Sequence, residues 1–152
     1  MKKLLLGSVA LVLIAACSSK GSMMAQLDTK IPTAQELQHH HYELVSVNGK
    51  ELDLEKGSLV PTIAFGEGMR ITGTMCNNFF GEGYFSSRGV LKAKGLGMTR
   101  KFCTDSALNN LDGDISELLD RGAEIIISEN GQFLRLSNIQ TALEFKLADK
   151  MR

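Results

Sequence analysis

Eight of the fifteen glycines fall within residues 66–97, inside a stretch that otherwise alternates like β-strands. Met69, Ile71, Gly73 and Met75 take turns with Arg70, Thr72 and Thr74, the two-residue period of a half-buried strand. A short strand is expected at 62–65 before it. Asn77-Asn78 breaks the run, which resumes over 79–86, and Ser87-Arg88-Gly89 turns it into a further strand at 90–96. A glycine inside a strand gives up side-chain packing, so it marks a bulge, a sharp bend or a close backbone approach. So many in one sheet segment argue against a flat sheet and predict a curved, barrel-like antiparallel one.

The rest of the chain frames that sheet. Thr33-Ala34-Gln35-Glu36, preceded by Pro32, is a capping box that predicts a short N-terminal helix over about 33–40. A strand follows at 42–47, closed by a turn at Asn48-Gly49-Lys50, and residues 51–59 have no period and are expected to be loop. The principal helix is carried by Leu108, Leu111, Ile115, Leu118 and Leu119, one apolar stripe at steps of three and four. Asp105 is its N-cap and Gly122 its C-terminal stop. Asp112, Asp114 and Glu117 lie off the stripe and are expected to face solvent. Strands at 124–128 and 133–136 flank Asn130-Gly131, a strong hairpin signal, and Asn138-Ile139-Gln140 turns into a last strand at 142–147. One long helix against a meander of short strands is an α+β fold: a curved, barrel-like antiparallel sheet with one principal helix and a short N-terminal one.

The first residues have another purpose. Lys2 and Lys3 precede an apolar run of 13 residues over 4–16 that ends in Ala15-Ala16. That is the pattern of a secretory signal, and it falls short of the roughly 20 residues a membrane span needs. Ile14-Ala15-Ala16-Cys17 resembles a bacterial lipobox, which implies cleavage after Ala16 and acylation of Cys17 with diacylglycerol and an amide-linked chain. Removing 16 of 152 residues leaves 136, one domain of ordinary size. The mature chain would carry 15 basic and 17 acidic residues, with no footprint for nucleic acid and no polybasic stretch to steer it onto lipid. Attachment to the membrane is therefore expected to rest on the lipid. The organisation read from these features is 1–16 signal, 17–32 lipidated cysteine and flexible tether, and 33–152 folded domain.

With Cys17 used for lipid, Cys76 and Cys103 remain as a pair. In an oxidising compartment a structural disulfide between them is the expected reading, with free buried thiols as the alternative and a redox thiol as the remote one. His39-His40-His41 invites a metal, but adjacent helical positions point about 100° apart and useful pairs sit at i, i+4, so no metal site is expected there. A role at a helix C-terminus, against the dipole, is simpler. Asn77, Thr99 and Arg100 adjoin the cysteines and form a candidate polar recognition site, weighed against a purely structural use in satisfying irregular strand ends. No nucleophile elbow, zinc-protease helix or phosphate loop occurs, and no catalytic residue or cofactor is expected.

These residues resemble a family. Gly73-Thr74-Met75-Cys76-Asn77, then Gly81 and Tyr84, then Met98-Thr99-Arg100-Lys101-Phe102-Cys103, are similar to the paired motifs of the META domain, in which G-x-x-C-N precedes T-R-x-x-C. Tyr42-Glu43-Leu44-Val45-Ser46-Val47-Asn48-Gly49 also matches, with tyrosine where many members have tryptophan. Leu37-Gln38-His39-His40 and Phe145-Lys146-Leu147-Ala148-Asp149 fit a lipoprotein branch of the family. The resemblance spans about residues 35–152. It implies a compact β-rich fold with one main helix, partly similar to pilotin lipoproteins that chaperone outer-membrane secretins. It also implies heat-inducible expression and a link to novobiocin resistance, but no biochemical activity. Ser18 after the lipidated cysteine implies sorting to the outer membrane, by a rule carried over from similar lipoproteins. The leading expectation is a non-enzymatic outer-membrane lipoprotein facing the periplasm that binds or stabilises an envelope protein or a lipid. A small periplasmic hydrolase or thiol-redox enzyme, and a purely structural envelope protein, are the alternatives.

Overall fold

The structure, a computed structural model, describes Met24 and residues 27–149. The signal segment, Cys17 and most of the tether lie outside the described residues. The described chain forms β1 (Thr29–Lys30), α1 (Ala34–Leu37), β2 (His40–Val47), β3 (Lys50–Glu51), β4 (Thr62–Phe65) and β5 (Arg70–Thr74). It continues through β6 (Asn78–Phe85), β7 (Leu91–Met98), α2 (Ser106–Arg121), β8 (Glu124–Ser128), β9 (Phe133–Ser137) and β10 (Ala142–Leu147). All strand pairs are antiparallel, in the order β1-β8-β9-β10-β2-β4-β5-β6-β7, with β3 added to β2.

The sheet curls as its glycines predict. A Cβ on Gly73 would lie 2.3 Å from the Thr62 carbonyl oxygen and 2.4 Å from Phe79 Cζ. One on Gly83 would lie 2.7 Å from Ile71 Cδ1. The missing side chains let large apolar neighbours fold over the backbone on the concave side. The curl brings the far ends of the sheet together, where Leu91 of β7 and Ala123 just before β8 exchange two backbone hydrogen bonds of 2.9 Å. Helix α2 lies in the remaining opening, against β7, and buries Leu108, Leu111, Ile115, Leu118 and Leu119. Those side chains meet Ile63, Phe65, Ile71, Phe79, Leu134 and Phe145 in a single core.

Four local expectations are corrected. The N-terminal helix stops at Leu37, because His39 turns to φ 68° and its N–H bonds the Phe65 carbonyl, starting the β2–β4 ladder. The histidines therefore lead into and occupy a strand, not a helix end. Lys50, read as turn, and Glu51, read as loop, pair with β2 through a two-residue turn in which Asn48 and Gly49 both take positive φ. Thr29 and Lys30, assigned to the tether, are held on the edge of β8 opposite Ser128 and Ile127. Finally, Glu144, which alternates with Leu143 and Phe145 and is therefore expected at the surface, is buried opposite Ser46, beside a bulge in β2 between Leu44 and Ser46.

Candidate functional site

Cys76 follows β5 and Cys103 follows β7, and the curl of the sheet sets their Cα atoms 5.8 Å apart, joined by a disulfide. The two loops it ties are also clamped from α2. Asp112 Oδ1 accepts from the backbone N–H groups of Cys76 (3.1 Å) and Asn77 (2.9 Å). One turn earlier on the same helix face, Asn109 Oδ1 accepts from Cys103 N–H at 3.1 Å and its Nδ2 donates to the Cys103 carbonyl at 2.6 Å. Asp112 is thus half-buried and fully engaged, against the expectation that it faces water.

Asn77 is the hub. Its Nδ2 donates to Asp112 Oδ2 (2.7 Å) and to the Lys101 carbonyl (3.0 Å). Its Oδ1 accepts from Thr99 Oγ1 (2.9 Å) and from Lys101 N–H (2.7 Å). A carboxamide offers two donors and two lone pairs, so none is left for a ligand. Thr99 Oγ1 also accepts from Asn78 N–H at 3.0 Å. Of the candidate recognition set, Asn77 and Thr99 meet but serve the frame, and Arg100 stands exposed outside the network.

Beside this frame large apolar side chains stand in solvent among polar ones. Phe102 is 87% exposed, Leu59 66% and Val60 44%. A hollow of about 260 Å³ opens between Leu59 and Phe102, with Met75 and Leu108 as its other apolar lining and Ser58, Lys101, Thr104 and Asp105 as its polar lining. Its two walls are linked by buried Asp105, which caps α2 through Ala107 N–H (3.0 Å) and accepts from Glu55 N–H (3.4 Å) and Ser58 Oγ (3.3 Å). Apart from the Cys-Asn and Thr-Arg motifs, the sequence carries no signal for this rim. A lone exposed phenylalanine is invisible until the loops are folded.

The histidines lie elsewhere. Asp149 takes His40 Nδ1 on one carboxylate oxygen and His41 N–H on the other, the latter at 2.7 Å. Burial pushes Asp149 up, but these hydrogen bonds and the nearby imidazoles outweigh it and hold the carboxyl below its ordinary range. The neighbouring hydroxyl, Tyr42, is pushed up to about 12 by burial and then by the Asp149 charge, which leaves it a poor nucleophile at neutral pH. The His–Asp pair therefore clasps the C-terminal segment to β2. Among the described residues no three His, Cys, Asp or Glu side chains gather to hold a metal ion. Glu144 is the other buried acid the sequence did not mark, accepting from Ser46 Oγ at 2.8 Å with Arg135 Nη1 at 3.9 Å.

The model of the META domain matches residues 35–150. The heat shock protein HslJ of Escherichia coli (strain K12) is 42% identical over 151 residues, covering 99% of either chain. A protein solved by NMR is 46% identical and superposes with a TM-score of 0.70, covering 80% of this chain and 99% of that one. A second NMR structure, of a protein from Burkholderia xenovorans, has a TM-score of 0.54 at 15% identity, covering 81% of this chain and 91% of that one. At that identity it speaks for the fold alone.

Proposed function

This chain belongs to the META domain family, and from that premise we propose that it is a heat-shock-related, non-enzymatic lipoprotein that binds and steadies another component of the bacterial envelope. The relative HslJ is named a heat shock protein, which supports the stress role. The Ile14-Ala15-Ala16-Cys17 motif supports a lipid anchor, and Ser18 supports the outer membrane with the domain in the periplasm. Novobiocin resistance, where it depends on this protein, then reflects an envelope kept intact under stress.

The observation that carries the binding role is the rim that Phe102 and Leu59 form on one hollow. A single bare side chain is ordinary on a protein surface, but apolar side chains exposed side by side mark interaction sites; Leu59 and Phe102 line one hollow, and a disulfide, Asn77 and Asp112 hold the Phe102 loop in place. Binding through a preordered apolar rim avoids the cost of ordering the loop. The partner is an envelope protein or lipid, since the near-neutral chain has no footprint for nucleic acid.

A photo-crosslinking residue in place of Phe102, in cells shifted to high temperature, tests this. Discrete adducts with an envelope component are expected, and far fewer from the same residue at Ile139, which is fully exposed on another turn. Equal or absent adducts from Phe102 would overturn the rim as the binding surface. Fractionation of Cys17→Ser tests the anchor separately: the protein is expected to leave the membrane fraction.

A further inference from the structure

The outer face of β5, β6 and β7 carries a second arrangement, away from the disulfide loops. On β6, Asn78, Phe80, Glu82 and Tyr84 point outward, while Phe79 and Gly81 are buried. Thr72 and Gly97 flank Phe80 on the neighbouring strands, and Arg70 and Lys94 flank Glu82. They surround a hollow of about 460 Å³ lined by Arg70, Thr72, Phe80, Glu82, Lys94 and Gly95, a size in the range of small-molecule sites.

Phe80 is 56% exposed yet not loose. A Cβ on Gly97 would sit 2.5 Å from its Cζ, 2.9 Å from Cε2 and 3.1 Å from Cε1. The ring therefore lies flat across Gly97, one face on backbone and the other open. A bulge places an extra residue on β7 between Lys94 and Gly97, and Gly95 accommodates it at φ 60°. That sets Lys94 opposite Glu82 while Gly97 stays under the ring. Lys94 Nζ rests 4.8 Å from the centroid of Tyr84.

Opposite charges directly across strands ordinarily pair. Arg70 and Lys94 both face Glu82 in register, and among the described residues neither forms an ion pair with it. Two cations, a carboxylate and a threonine hydroxyl thus stand around a flat aromatic seat without ion pairs among them, Lys94 resting on the Tyr84 ring. A pyranose fits that set: its C–H face stacks on the open ring while hydroxyl and acetamido groups meet Glu82, Thr72 and the cations. The excess of cations over carboxylate selects for an acidic substituent. An apolar chain would strand the charged rim, and a polyphosphate would be repelled by Glu82.

We propose that this face binds a saccharide carrying an acidic group. The acid can be the carboxylate of a cell-wall glycan or the phosphate of a glycolipid headgroup, and the test separates the two. The full-length chain in detergent is titrated calorimetrically with three water-soluble probes. These are an N-acetylglucosamine–N-acetylmuramic acid disaccharide, a monophosphorylated glucosamine disaccharide and the uncharged N-acetylglucosamine dimer. At least one acidic probe is expected to bind about tenfold tighter than the dimer, and whichever does so identifies the source. Phe80→Ala and Arg70→Gln are each expected to weaken it by about tenfold or more in protein that still unfolds cooperatively in urea. Phe80→Trp, which keeps a stacking face, is expected to retain it, a rescue that a merely structural ring would not require. Equal affinity for the three probes, no binding of any, or full binding by Phe80→Ala would overturn the proposal.

Discussion

Removing the Asn77 carboxamide strands four partners at once: both Lys101 backbone groups, the Thr99 hydroxyl and one Asp112 oxygen. Each buried group left unpaired costs about 1–3 kcal/mol, partly relieved by water. Asn77→Ala is therefore expected to lose about 2–4 kcal/mol of stability, read as a lower urea midpoint. Asn77→Asp should be no better, since it replaces a donor 2.7 Å from Asp112 with a second carboxylate. Arg100→Ala, one residue from the same network but outside it, should stay within about 0.5 kcal/mol of the parent. A cost at Arg100 comparable to that at Asn77 would mean that the hub is drawn wrongly.

Among the elements, α1 and β1 depend on one carboxylate. Glu36 accepts from Lys30, from Thr33 N–H at 2.9 Å and from the Thr33 hydroxyl at 3.0 Å. These bonds, the Lys30 contact foremost, lower its pKa from 4.5 to about 2. A carboxyl whose folded pKa is depressed contributes stability above its unfolded value and loses it as pH falls through the folded one. The clasp between β1 and α1 should therefore be intact above about pH 4.5 and open progressively toward about pH 2. Amide exchange at Ile127, Ser128 and Glu129 should rise over that window, and Lys30→Met should move the Glu36 midpoint upward. In the sheet itself, Gly73→Ala has no room, with backbone oxygen and an aromatic ring both inside contact distance. Overpacking there should cost about 3 kcal/mol or more, whereas Gly113→Ala, in open space on a helix, should stabilise slightly. Thermal unfolding of the two variants checks the contrast.

For the molecule as a whole, the disulfide ties the β5–β6 and β7–α2 loops across 27 residues. Constraining the unfolded chain over that separation is worth about 3–4 kcal/mol in the chain-entropy picture. Reductant should lower the urea midpoint by a corresponding amount, and Cys76→Ser with Cys103→Ser should reproduce it without reductant. If the apolar rim works as proposed, the reduced protein should also crosslink less from position 102, because its loop is no longer pinned on both sides. Much of this architecture was legible in the sequence. The glycine-dense alternation foretold a curled sheet, the apolar stripe with Asp105 and Gly122 bounded α2 correctly, Asn48-Gly49 marked a turn, and Asn130-Gly131 marked its hairpin. Cysteine parity and compartment suggested the pair that the structure joins. Such signals act within a few residues, or by counting, so a linear chain displays them. The roles of Asp112, Asn109 and Glu144 did not show, because a polar side chain beside an apolar stripe looks solvated until its partner arrives from as far as 98 residues away. The same holds for His40, whose mate Asp149 lies 109 residues on, and for Phe80 and Phe102. Whether a ring is core or exposed depends on which face the folded sheet or loop turns outward. Local stereochemistry and periodicity thus determined the elements, and only long-range pairing in the curled sheet decided which polar groups became frame and which aromatics were left exposed.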